Sequence, residues 1–237
     1  MNPRLVWAAA CLLVVNAATA ATNELSNTEI EGRDLARQLC ELRPAGNVTN
    51  TGILKIRRGD GMRTGMSVEF RTIVTATNWL TFYQTTSEGC RVKLIAVHSD
   101  KHSNQYQFHE HDLAENEIMT PFANSDFWIS DLGLEFFHWP AQKVLKHEMR
   151  RGQACKVLES TNPKPSTNGY SRVVSWIDND SGGIVHAEAF DAKGKLLKEF
   201  NPKEFKKVNG QWQLQEMEIR NVQTGSRTRM EFNLEKK

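Results

Sequence analysis

The chain lacks an excess of charge of either sign: 30 Lys and Arg stand against 28 Asp and Glu, a formal +2 over 237 residues. That balance excludes a strongly basic nucleic-acid binder and an acidic disordered chain. Cysteine is scarce, with four in all, which excludes a disulfide-dense miniprotein. No Cys-x-x-Cys occurs, so a thioredoxin-like or zinc-ribbon site has no basis. There is no Gly-x-Ser-x-Gly elbow, no phosphate loop and no dinucleotide fingerprint. After Val15 no long apolar run follows, and a membrane-crossing helix needs ~20 such residues. Internal repeats and low-complexity tracts are missing too. What is present is 39% hydrophobic residues, enough for a sizeable core. All-β barrels of roughly 200–250 residues commonly form one domain.

The N-terminus has the three parts of an export signal. Arg4 supplies the positive charge, Leu5 to Val15 is apolar, and Ala18-Thr19-Ala20 offers small side chains for cleavage. Asn16 ends the apolar run too early for an anchor. Cys11 lies inside the apolar run rather than after it, which argues against lipidation. The expected organisation is a signal peptide over 1–20 and one domain over 21–237, periplasmic and soluble, without a transmembrane segment after cleavage. Removing 1–20 leaves Cys40, Cys90 and Cys155, an odd set for an oxidising compartment. The expected bridge is Cys90–Cys155, because each begins an apparent strand.

Asn27 to Leu42 predicts a helix: Ile30, Leu35, Leu39 and Leu42 recur near helical spacing, Asn27 or Thr28 could cap the start, and Pro44 and Gly46 end it. From Thr51 the period changes to two. Strands are expected around Val68–Val74, Trp79–Thr85, Arg91–Val97 and Gln105–His109. Thr120 to His147 breaks the pattern, with a helix expected over Ser130–Trp139, where Leu132 and Phe136 are spaced to cover one patch. Strands resume at Lys156–Ser160, Tyr170–Asp178, Ile184–Asp191, Leu196–Asn201, Trp212–Asn221 and Arg227–Leu234. Asn209-Gly210 signals a hairpin, since both residues tolerate positive φ. About ten strands joined by short turns exceed the usual ~4–6 of an open sheet, so the meander should curl. The expected class is mainly β (α+β): a strongly curved antiparallel sheet or incomplete β-barrel covered by short helices.

Motifs for chemistry are weak. His109 and His111 would share one face of a strand, with His98 and His102 near in sequence. A closed metal site needs about four ligands, and a solvated strand end explains the pair equally well. Cys155 sits in an apparent strand, where a buried or bridged role outweighs a nucleophilic one. No catalytic residue, metal ligand or cofactor is therefore assigned. Phe70, Trp79, Phe82, Leu94, Trp176, Phe190, Met230 and Phe232 lie on strands whose alternation leaves one face apolar. They serve either as ordinary sheet core or as the lining of an apolar ligand cavity.

Several stretches together resemble one family. They are Ser125-Asp126-Phe127-Trp128 through Asp131-Leu132 to Trp139-Pro140, the strand Tyr170-Ser171-Arg172-Val173-Val174-Ser175-Trp176-Ile177-Asp178, and the hairpin Asp191-Ala192-Lys193-Gly194-Lys195-Leu196-Leu197-Lys198. The pattern resembles the outer-membrane lipoprotein-sorting proteins, whose members are similar to the LolA lipoprotein carrier. The resemblance implies an incomplete barrel whose concave face binds the acyl chains of a lipid or lipoprotein. It also implies that Trp128, Leu132, Phe136 and Trp139 plug or line the cavity, under a lid that moves for transfer. Related folds serve as periplasmic sensors, so a regulatory module with a signalling or membrane-transport protein as partner is the alternative, ahead of a metal-dependent enzyme using the His cluster. Nucleic acid is not an expected partner.

Overall fold

The computed structural model of the protein describes residues 25–86, 91–99, 102–208 and 211–234. The expected signal peptide, Cys90 and the Asn209-Gly210 turn lie outside the described residues. Among the described residues no helix is long and apolar enough to cross a membrane.

The chain opens with helix α1 (Asn27–Cys40). Its cap is Ser26, just ahead of the positions expected. The Ser26 backbone N–H and hydroxyl donate to the Glu29 carboxylate at 2.8 and 2.7 Å, which holds Glu29 below the ordinary carboxylate range. The helix buries Gly32 and Ala36. A Cβ on Gly32 would fall 2.5 Å from the backbone nitrogen of Lys143, so glycine is what allows this close approach to the sheet.

Six strands follow: β1 (Val48–Arg57), β2 (Arg63–Val74), β3 (Trp79–Thr85), β4 (Lys93–His98), β5 (Gln105–Phe108) and β6 (His111–Asp112). A crossing segment then carries a 3-10 turn (Phe122–Asn124), the short helix α2 (Ile129–Leu132) and a second 3-10 turn (Glu135–His138). Seven more strands complete the fold: β7 (Ala141–Arg150), β8 (Gln153–Thr161), β9 (Tyr170–Asp178), β10 (Ile184–Asp191), β11 (Leu196–Val208), β12 (Gln211–Asn221) and β13 (Arg227–Asn233). All thirteen form one antiparallel sheet in the order β6-β5-β4-β3-β2-β1-β13-β12-β11-β10-β9-β8-β7. Each half is a meander of chain neighbours. The β1–β13 pairing, from Thr51↔Asn233 to Arg57↔Arg227, joins the halves. The two ends, β6 and β7, do not pair with each other, so the sheet is not closed into a barrel.

Three expectations need correction. The break at Thr120–His147 is shorter than the sequence suggested, because Ala141–Arg150 is a strand paired with β8. A register shift between Val144 and Lys146 interrupts its alternation and leaves Leu145 and Met149 exposed. The single helix over Ser130–Trp139 is two short turns, broken where Leu134 takes φ +52°. The strand expected at Leu196–Asn201 continues through Pro202, where a bulge absorbs the missing N–H.

The crossing segment fills the concave face. Ile118, Phe122, Phe127, Ile129 and Leu132 pack against Leu54, Val68, Phe70, Leu94, Ile219 and Met230 of the sheet. Phe136, Phe137 and Trp139 pack with Ala36 of α1 against Val144, Leu158, Tyr170, Val173 and Ile177. A smaller cluster of Cys155, Val157, Val174 and Trp176, with Val185 and Phe190, covers the opposite, convex face of β8–β10.

Candidate functional site

Between the crossing segment and the sheet lies a cavity of about 1090 Å³. Its walls are Trp79, Thr81 and Tyr83 of β3, Val173 of β9, Ala187 and Ala189 of β10, Phe200 of β11 and Met217 and Ile219 of β12. Leu132 to Leu134 and Phe136 to His138 form the roof. The space exists because the wall opposite the roof is built partly from alanines. Ala187 pairs with Ser175 and Phe200, and Ala189 with Val173 and Lys198, so alternate positions on β10 present a methyl group where neighbouring strands present larger side chains. The mouth is edged by Leu39 of α1, Leu42 just beyond it, the β9–β10 turn, and Phe205, Trp212 and Leu214.

Two polar clusters interrupt this apolar lining. The first is centred on Lys198, only 2% exposed. Its ammonium donates to the Asp126 carbonyl at 2.7 Å, reaches Asp131 Oδ2 at 3.3 Å and lies 3.6 Å from the Trp128 ring centroid. The Tyr170 hydroxyl donates to Asp131 Oδ1 at 2.9 Å, and the Trp128 N–H to Oδ2 at 2.8 Å. Burial lowers Lys198 to about 8, against the pull of Asp131. Asp126 in turn accepts from Thr228 at 2.8 Å and from Ser226. These contacts tie the crossing segment to β9, β11 and β13.

The second cluster stands where β4 and β5 meet the roof. Burial raises Glu135 to about 7, partly offset by hydrogen bonds from Tyr106 at 2.9 Å and Asn104 at 3.1 Å. Asn104 also donates to the Gly133 carbonyl at 2.8 Å, and its Oδ1 sits 2.9 Å from His98 Nδ1. The His98 ring stacks on Trp79 with centroids 5.3 Å apart. Desolvation lowers His98 to about 4, so its imidazole is neutral at neutral pH. Gly133 is required here: a Cβ would sit 1.9 Å from the Tyr106 hydroxyl oxygen.

The sequence-predicted site residues divide three ways. Trp79, Leu132 and Phe136 line the cavity. Phe70, Leu94 and Met230 are buried in the concave core, with Phe232 packed against it, but they meet the first half of the crossing segment rather than the cavity. Trp128 and Trp139 belong to the second core cluster, Trp128 stacked on Tyr170 at 4.5 Å. Trp176 and Phe190 are corrected to the convex face. Trp176 pairs with His186 and Phe190 with Arg172; the Trp176 indole donates to Glu148 and lies under Arg150, and Phe190 lies under Arg172. Phe82, paired with Arg71 and covered by its guanidinium 4.4 Å away, alternates with the cavity-facing Thr81 and Tyr83 and also points outward. Sequence reasoning missed Val173, Ala187, Ala189, Lys198 and Glu135. Small residues at alternate strand positions were the available signal for the alanines.

Cys155 is a free, buried thiol whose Sγ donates to the Gln153 carbonyl at 3.5 Å. Cys155 packs on the convex face between β7 and β9; the partner expected for it, Cys90, lies outside the described residues. Cys40 is also free, and burial pushes its thiol up to about 12, so it remains protonated. His109 and Glu110 take φ of +49° and +73° in the turn between β5 and β6, so His109 and His111 do not alternate on one strand as expected. Among the described residues no group of three His, Cys, Asp or Glu is placed to hold a metal.

The architecture recurs in solved structures. A DUF1329 family protein from Desulfovibrio piger superposes with a TM-score of 0.72 at 18% identity, covering 88% of this chain and 92% of its own. A domain from Vibrio parahaemolyticus described as an outer membrane lipoprotein-sorting protein domain gives a TM-score of 0.72 at 18% identity, over 87% and 92%. A LolA superfamily protein from Nitrosomonas europaea gives 0.60 at 13% identity, over 88% and 93%. The fold is thus similar to that of this LolA superfamily protein. A family model described as "Uncharacterized protein" matches residues 109–235, more than half of the chain, and the chain belongs to that family. No curated protein matches it.

Proposed function

We propose that residues 21–237 act as one exported, periplasmic domain that holds the acyl chains of a lipid or lipoprotein and carries them toward the outer membrane. The observation that supports this reading is the apolar cavity of about 1090 Å³ under a separate roof segment. Ordinary small-molecule sites span ~300–1,000 Å³, so the space is ample. Transfer of a methylene from water contributes ~0.8 kcal/mol, and a chain of fourteen roughly 11 kcal/mol before ordering costs. Binding then needs no covalent chemistry and no metal. In this reading Trp79, Leu132 and Phe136 touch the chain, together with Val173, Ala187 and Ala189. Trp128, Trp139, Phe70, Leu94, Met230 and Phe232 hold the roof on the sheet. Release requires the roof to lift, which parts the Lys198 and Glu135 clusters as well as this packing.

The test is native mass spectrometry and lipid extraction of the protein secreted with its own leader, beside Ala187→Phe and Ala189→Phe variants. Acyl lipid should co-purify with the wild type. The fillers should lose most of it while still melting cooperatively. A wild type that neither carries nor takes up lipid would overturn the proposal, and a tight protein partner recovered instead would favour a regulatory module.

A further inference from the structure

The β11–β12 hairpin runs past its neighbours. β10 pairs with β11 only between Ala187↔Phe200 and Phe190↔Leu196, and β13 pairs with β12 only from Glu216↔Glu231 to Arg220↔Arg227. From Pro202 to Val208 the ladder of β11 is made with β12 alone. This outer part is a two-stranded ribbon, an arrangement marginal in water by itself.

The ribbon carries the wrong side chains for a solvated tip. Trp212 is 70% exposed and Phe205 54%. The pairs Phe205↔Leu214 and Lys207↔Trp212 place them on one face, and Phe205, Trp212 and Leu214 continue the cavity wall outward to its mouth. Between Pro202 and Val208 stand Lys203, Lys206 and Lys207 against one acid, Glu204; Lys203 pairs with Glu218 at 3.1 Å and Lys206 donates to the Leu234 carbonyl at 3.1 Å from the opposite face, so Lys207, across from Trp212, is the cation beside the patch. Exposed tryptophan with a flanking lysine is the composition of a membrane–water boundary: the indole sits at headgroup level, and the long lysine stem keeps its ammonium group among anionic headgroups. An apolar patch with a cation beside it fits that partner better than it fits bulk water.

We propose that the β11–β12 ribbon docks on an anionic lipid bilayer, with Phe205, Trp212 and Leu214 in the interface and Lys207 on the headgroups, so that the cavity mouth opens onto lipid rather than water. Docking stands on the ribbon alone; only its purpose rests on the acyl-chain reading.

The probe is a vesicle of phosphatidylethanolamine and phosphatidylglycerol, with pure phosphatidylcholine as the neutral control. Wild-type protein should co-sediment with the anionic vesicles, more weakly at high salt, and its tryptophan emission should shift to the blue. Phe205→Ser with Trp212→Ser should weaken vesicle binding by about tenfold or more and abolish the shift, with melting temperature unchanged. Lys207→Glu should weaken the preference for anionic vesicles. The proposal is overturned if wild type ignores anionic vesicles at low salt, or if the serine variant binds them as wild type does. It is equally overturned if the serine variant instead dissolves a dimer seen by sedimentation, which would put a second copy on this face. Lipid extracted from the same samples reports on the cavity separately: vesicle binding without cavity lipid would sink the carrier reading and leave docking standing.

Discussion

The Lys198 ammonium lies 3.6 Å from the centroid of the Trp128 ring, with Asp131 Oδ2 3.3 Å from the same nitrogen. One residue belongs to β11 and the other to the segment that crosses the concave face. A buried cation held by an indole, a carboxylate and a backbone carbonyl is costly to leave half-made. Lys198→Met should therefore destabilise the fold by about 3–5 kcal/mol in urea unfolding, through the stranded Asp131 carboxylate. Adding Asp131→Asn should restore part of that loss. A double variant whose two losses simply add would show that the pair is not coupled.

Stability should depend on pH through Glu135. Its carboxyl is raised to about 7 in the folded protein from an ordinary value of 4.5, with Tyr106 and Asn104 bonded to it and Glu115 and Cys40 near. The folded state holds that proton more tightly, so this contribution is full below 4.5 and is lost as pH rises through about 7. Charging the group costs on the order of 3 kcal/mol. His98 works the other way: lowered to about 4 from 6.5, it favours the fold above 6.5 and loses that contribution as pH falls through about 4. Glu135→Gln should leave only the second effect. Melting curves of wild type and variant should converge in acid and separate in mild alkali, with wild type the lower; parallel curves would remove Glu135 from the account.

How far the sequence carried depends on which force set each element. Tyr170–Asp178 and Ile184–Asp191 were legible to the residue, because local alternation and turn chemistry decide them. β7 was not, since Gln142 and Val144 are its fully buried residues and the others are polar or exposed. Gln142 is held by donating to the Phe136 and Trp139 carbonyls, contacts that no periodicity records. The aromatic residues pointed toward Trp176 and Phe190, yet the cavity is opened by Ala187 and Ala189, whose value comes from what they leave empty. Lys198 and Glu135 resemble surface charges until the fold buries them.

Core and cavity should separate under mutation. Trp139 is buried in the second cluster, outside the cavity lining. Trp139→Ala should cost about 3–5 kcal/mol, with no loss of lipid per folded molecule. Leu132→Asn, on the roof, should lose lipid more than stability. Co-purified lipid and melting temperature measured on the same preparations decide this, and a Trp139 variant that stays stable but loses lipid would move it into the site.

The thiols should be inert in the native protein. Cys40 is pushed up to about 12 by burial, and Cys155 is buried and also raised. Both should resist alkylation at about pH 8 and react once the chain unfolds. Recovery of either in a disulfide-linked peptide from the untreated protein would contradict their free state.

The unpaired ends of the sheet have a mechanical consequence. In a closed barrel, strand number and stagger fix the radius, and widening it means breaking ladder hydrogen bonds. Here β6 and β7 are free ends of the strand order, bridged by the chain that carries the roof. Spreading this seam leaves every strand ladder intact and strains only the packing and side-chain bonds that hold the crossing segment to the sheet. Under the carrier reading proposed above, the interior would dilate for acyl chains of different girth at a cost graded with their size.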